Sequence, residues 1–81
     1  MTDTRKAIEY LFMQAACRKN NEHCDIKWNL STGTSGNSYL WADYRNVRCY
    51  MYLTKNGNVR NITFSINGNE VGYREAWEMA Q

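Results

Sequence analysis

Three cysteines, one histidine and eight carboxylates are the side chains of this 81-residue sequence best suited to nucleophilic, acid–base or metal chemistry. Their placement argues against all three. Cys17, Cys24 and Cys49 contain no C-x-x-C spacing, and the single histidine, His23, directly precedes Cys24. Structural zinc needs four N/S ligands converging tetrahedrally, usually from short-spaced pairs. Adjacent His23 and Cys24 would project to opposite sides of a strand, and Cys17 falls on a helix face turned from that helix's core stripe. The set Cys17, His23, Cys24 and Cys49 therefore does not converge. A cysteine nucleophile fares no better. Cys24 and Cys49 share the buried parity of their strands, where a thiol ionises poorly, and no third group orients His23 as a base.

The carboxylates give a similar answer. Asp25 and Asp43 share an outer strand face with Lys27 and Arg48, which reads as a solvated ion-pair row. The segment Ser-Thr-Gly-Thr-Ser-Gly-Asn-Ser over 31–38 lacks the lysine and the following helix that give a phosphate-binding loop its charge and dipole. The expectation is a chain with no catalytic residues, no metal ligands and no cofactor.

The elements that position these side chains follow from periodicity. Thr2, Asp3 and Thr4 offer helix caps, Ile8, Leu11, Phe12, Ala15 and Ala16 recur at helical spacing, and Asn20-Asn21 ends the pattern. A second row, Tyr10, Met13 and Cys17, lies on the other side of that helix. From Cys24 the period becomes two: Cys24, Ile26, Trp28 and Leu30 alternate with polar residues, as in a strand with one buried face. Further strands are expected near 38–44, 47–54 and 59–66. Asn56-Gly57 is a strong hairpin signal, because both residues tolerate positive φ in a type I′ turn. A two-residue loop there pairs Lys55 with Asn58, Leu53 with Arg60, Met51 with Ile62, Cys49 with Phe64 and Val47 with Ile66. The turn at Arg45-Asn46 sets Ala42 against Cys49 and Leu40 against Met51. The opposite face then places Asp43 beside Arg48, Trp41 beside Tyr50, and Tyr39 beside Tyr52. A last helix begins near Gly72, whose spacing to Glu75 resembles a capping box.

The expected fold is α+β and two-layered: an N-terminal helix, a four-stranded antiparallel meander and a C-terminal helix, both helices on one face. Its expected core is Ile8, Leu11, Phe12, Ala15, Ile26, Trp28, Leu30, Leu40, Ala42, Cys49, Met51, Leu53, Ile62, Phe64, Ile66 and Trp77. Length fits a single domain over 1–81, which would bury roughly 60–65% of its unfolded surface. Apolar content of 43% is globular, no apolar run reaches the ~18 residues of a membrane helix, and no secretory signal is visible. Unpatterned cysteines then read as reduced thiols in a cytoplasmic protein.

With chemistry set aside, the outer sheet face is the candidate site. Tyr39, Trp41, Tyr50 and Tyr52 form one aromatic patch, with Arg48 and Lys27 at its rim and no helix to cover it. Such a surface suits a protein partner. Tyr10 and Met13 offer a second contact or a homodimer seam. Small size and mixed charge fit an inhibitor, antitoxin-like partner or adaptor, of the kind found among phage and mobile-element accessory proteins, including anti-defence inhibitors. The alternative is single-stranded nucleic-acid binding, with bases stacked on Trp41 and the tyrosines while Lys27, Arg48 and Arg60 meet phosphate. The helix–sheet–helix order resembles the double-stranded RNA-binding domain in topology alone. That family has three strands and a lysine-rich start to its last helix, whereas Glu70, Glu75 and Glu78 occupy that region here, so membership is not inferred.

Overall fold

The computed structural model describes residues 2–34 and 36–81. It begins with helix α1, Thr2–Lys19, and ends with helix α2, Tyr73–Ala80. Between them lie β1 (Asn29–Thr32), β2 (Ser38–Tyr44), β3 (Val47–Leu53), β4 (Val59–Ile66) and β5 (Asn69–Gly72). These form one antiparallel sheet in chain order, β1-β2-β3-β4-β5. The α+β class is as expected, but the meander has five strands, not four. The addition is β5, too short for periodicity to announce.

Alternation explains the three long strands. Val47, Cys49, Met51 and Leu53 of β3 are buried while the residues between them are half-buried. Ala7, Ile8, Leu11 and Ala15 of α1 and Ala76 and Ala80 of α2 join the inward residues of β2, β3 and β4 in one apolar cluster. Phe12 ties the layers together: its ring lies 4.7 Å from Phe64, 5.1 Å from Tyr73 and 5.3 Å from Trp77. The α1 stripe is centred nearer Ala7 than expected, leaving Ala16 exposed.

Helix ends are held by identifiable bonds. At the C-terminus of α1, Asn21 takes φ 58°, the Glu22 N–H donates to the Cys17 carbonyl at 2.8 Å, and the Asn21 N–H donates to the Arg18 carbonyl at 3.3 Å. This is the paired-bond Schellman ending, with asparagine in the left-handed position that glycine usually fills. Arg5 Nε donates to the Ala80 carbonyl at 2.9 Å, so a cation from α1 caps the negative end of α2.

Two Asn-Gly pairs behave differently. Asn67 and Gly68 both have positive φ, 53° and 85°, and close a two-residue hairpin that sets Ile66 against Asn69. At Asn56-Gly57 only Gly57 is left-handed, with φ 85°. There the Gly57 N–H donates to the Thr54 carbonyl at 2.9 Å and the Thr54 N–H to the Asn58 carbonyl at 2.8 Å. The expected type I′ loop is thus replaced by a turn over 54–57 followed by a left-handed glycine, and Leu53 faces Val59 rather than Arg60. A β-bulge absorbs the offset. From Tyr52↔Asn61 inward, the pairs Met51↔Ile62, Cys49↔Phe64 and Val47↔Ile66 are those anticipated.

Three other expectations are corrected. Residues 24–28 are not strand; β1 starts at Asn29. Ile26 and Trp28 still pack against the core, from an irregular crossing anchored where the Asp25 N–H donates to the Oε1 of buried Gln14 at 2.8 Å. Leu30 has inward parity but is 68% exposed, because β1 lies at the sheet edge beyond the helices. Trp77 is 50% exposed, since Ala76 and Ala80 are the α2 residues that face the sheet.

Candidate functional site

The outer face is built by β2, β3, β4 and β5. Register places Tyr39 opposite Tyr52, Trp41 opposite Tyr50 and Asp43 opposite Arg48. Tyr39, Tyr50 and Tyr52 make a triad with ring centroids 6.0, 5.7 and 6.2 Å apart, spacings typical of mutually packed aromatics. All four aromatics of the face are half-buried, and none of them belongs to the apolar cluster that the two helices join.

Trp41 is fixed from two directions. Its Nε1–H donates to Ser31 Oγ at 3.1 Å, while Asn29 Nδ2 donates to the Trp41 carbonyl at 3.3 Å. Arg48 lays its guanidinium 4.2 Å from the Trp41 ring centroid and 6.0 Å from that of Tyr50. Arg48 Nε donates to Asp43 Oδ1, and Nη2 donates to Oδ2 at 2.9 Å, a forked pair. Those bonds hold the Asp43 carboxyl below its ordinary pKa and raise that of Arg48.

Beside the tyrosine triad a shallow trough of about 390 Å³ crosses the face, closed on its far side by Ser65, Gly68 and Glu70. Glu70 is exposed, and among the described residues no basic side chain lies within 4 Å of its carboxylate. Neither Glu70 nor the Ser31 and Asn29 supports belonged to the sequence-based site. In the sequence Glu70 reads only as negative charge near the C-terminal helix, because the four residues of β5 are too few to show a period.

The remaining expected site residues are scattered. Lys27 is exposed in the irregular crossing and belongs to no strand ladder. Tyr10 turns inward, its ring 4.3 Å from Tyr44, and burial raises its pKa with smaller contributions from Asp25 and Tyr44. It packs α1 on the end of β2. Met13 is 58% exposed and lines a groove between α1 and α2 with Phe12, Tyr73 and Trp77. Tyr10 and Met13 do not form one surface with the outer sheet face.

Ionisation is disfavoured at two of the three thiols. Burial pushes the Cys49 thiol up to about 12. Burial also raises that of Cys17, with nearby Glu22 adding to it. Among the described residues no group of three or more His, Cys, Asp or Glu side chains is arranged to hold a metal ion, and no helix is long and apolar enough to cross a membrane. Comparison with protein-family models, curated proteins and solved structures finds no match to this chain.

Proposed function

We propose that the chain is a non-catalytic binding module that docks a protein partner on its outer sheet face, acting as a small inhibitor or regulator of the accessory type. The observation that carries this reading is the uncovered set Tyr39, Trp41, Tyr50 and Tyr52, pre-positioned by cross-strand packing and by the Arg48–Asp43 fork. Tyrosine, tryptophan and arginine dominate binding energy at protein interfaces, and rigid aromatics lose little conformational freedom on docking. Charge favours protein over nucleic acid. Arg48 is already paired with Asp43, Lys27 lies off the ladder and Glu70 borders the trough, so of the three cations a phosphate would need, only Arg60 stays on a strand with no carboxylate partner among the described residues.

The test compares Trp41→Ala and Tyr50→Ala with the parent chain in recovery of a partner from the native host. Both variants are expected to keep the circular-dichroism spectrum and lose the partner. Unchanged recovery would remove the sheet face from consideration. Binding of a mixed oligonucleotide pool that weakens steeply with salt, and disappears in Tyr50→Ala, would replace the protein reading with the nucleic-acid one.

A further inference from the structure

The outer face has two halves built from the same chemical parts, and one half already holds a cation. In the first half an indole face, Trp41, and a carboxylate, Asp43, together bind the guanidinium of Arg48. In the second, the tyrosine triad and the Glu70 carboxylate border the same trough, whose lining contains no lysine or arginine; Arg48 reaches the triad from the other half, 6.0 Å from the Tyr50 centroid. Its volume of about 390 Å³ sits at the small end of the roughly 300–1,000 Å³ range of ligand sites, the scale of a side chain rather than a large cofactor. Tyrosine faces carry negative potential that attracts ammonium and guanidinium groups, and a neighbouring carboxylate adds a direct counter-charge.

We propose that the trough between Tyr39, Tyr50, Tyr52 and Glu70 is a cation-accepting subsite that receives an arginine or lysine side chain from a segment of a partner protein. This rests on the reading of the face as a protein-binding surface and specifies the chemistry of the partner. The occupant is basic because the trough's lining contains one carboxylate and no cation, so an acidic side chain or a phosphate would face Glu70 unpaired. Fixed rings preorganise the subsite, and the Arg48–Asp43 fork keeps the charge of Arg48 from opposing the incoming cation.

The test is a titration followed by NMR of the tyrosine rings. The probe is an acetylated, amidated Gly-Ser-Arg-Ser-Gly peptide, with lysine and citrulline versions beside it. Citrulline matches arginine in shape but has no charge. The arginine peptide is expected to shift the Tyr39, Tyr50 and Tyr52 resonances and to bind about two- to fivefold tighter than the citrulline peptide, the scale of one exposed cation–π contact. Glu70→Gln should reduce that preference to what the tyrosine rings alone supply, while leaving the circular-dichroism spectrum unchanged, since Glu70 is exposed on an edge strand. Equal binding of arginine and citrulline peptides overturns the proposal. So does arginine binding that shifts Trp77 but not the tyrosines, or no shift at peptide concentrations on the order of 10 mM, beyond the range of any useful single contact. If the native partner is lost with Tyr50→Ala yet retained in full with Glu70→Gln, the cation subsite falls while the protein-binding face stands. If neither substitution changes recovery, both fall.

Discussion

Phe64 and Tyr50 lie on neighbouring strands of one sheet and are buried by different means. Phe64 is fully buried beneath the helices, its ring against Phe12, with Leu11 and Ala76 in the same cluster. Tyr50 is half-buried by its own kind, between Tyr39 and Tyr52, with Arg48 alongside. The inner face therefore joins elements distant in sequence, and removing one of its residues opens a void that the close-packed layers fill only in part. The outer face joins side chains that the strand ladders already hold together. Stability concentrates below the sheet, on the face that the helices cover.

The largest contrast follows directly. Phe64→Ala should cost about 3–5 kcal/mol, a large share of the stability of a small domain, whose total is commonly about 5–15 kcal/mol. Tyr50→Ala should cost only ~1 kcal/mol, the scale of cross-strand pairs, because the ladders remain. Urea denaturation of the two variants checks this. Equal losses would show that the aromatic face is structural and would weaken the case for a binding role.

A second contrast uses thiols. Cys49 is fully buried on the inner face and its pKa is raised to about 12, whereas Cys17 and Cys24 are half-buried near the end of α1. At pH 8 a disulfide reagent needs thiolate, so Cys49 is protected both by low ionisation and by lack of access. Mass spectrometry of the labelled native protein is expected to show Cys17 and Cys24 modified first, and Cys49 modified only at a rate set by opening of the core. Rapid labelling of Cys49 would mean that the inner face opens far more readily than its packing implies.

How much of this was legible depends on the physical signal each feature leaves. Strands 38–44, 47–53 and 59–66 and their register could be read because a one-residue slip exchanges the two faces, and Cys49, Met51, Ile62 and Phe64 permit only one choice. At Asn56-Gly57 the dipeptide's type I′ preference yields to that demand, and a bulge absorbs the difference. Alternation at Cys24, Ile26 and Trp28 suggested a strand, yet an extended segment laid over the core shows the same pattern without a ladder partner. The exposure of Leu30 reflects how far two helices reach across five strands, and that of Trp77 which side of α2 meets the sheet, both matters of packing that periodicity does not encode. Of the candidate site, the four aromatics were legible; Glu70 was not, because four residues are too few to display a period.

A smaller effect separates burial from satisfaction on the outer face. The Thr63 Oγ1 atom is buried beneath that face and has no hydrogen-bond partner among the described residues. An unpaired buried hydroxyl costs about 1–3 kcal/mol, and valine keeps its shape without the polar atom. Thr63→Val should therefore leave the register intact and raise the thermal midpoint slightly, by up to ~1 kcal/mol of added stability. A lower midpoint would show that the hydroxyl is satisfied and contributes to the face.

The smallest effect concerns the charge pair that holds Arg48 against Trp41. The hydrogen bonds from Arg48 keep the folded-state pKa of Asp43 below its unfolded value of ~3.9. A lowered carboxylate pKa stabilises the fold above the unfolded value, and that contribution is lost as pH falls through the folded value. Half of the Asp43 side chain is exposed, so the pair should contribute less than ~1 kcal/mol. An NMR titration of the Asp43 carboxyl should give a midpoint below the ordinary range, and Arg48→Gln should return it towards that range. The same substitution should loosen the Trp41 ring while leaving the inner-face resonances unmoved, because no inward side chain takes part in the fork. If Arg48→Gln instead shifts Phe64 and Met51, the two faces are mechanically coupled, and substitutions at the binding surface could no longer be read as affecting that surface alone.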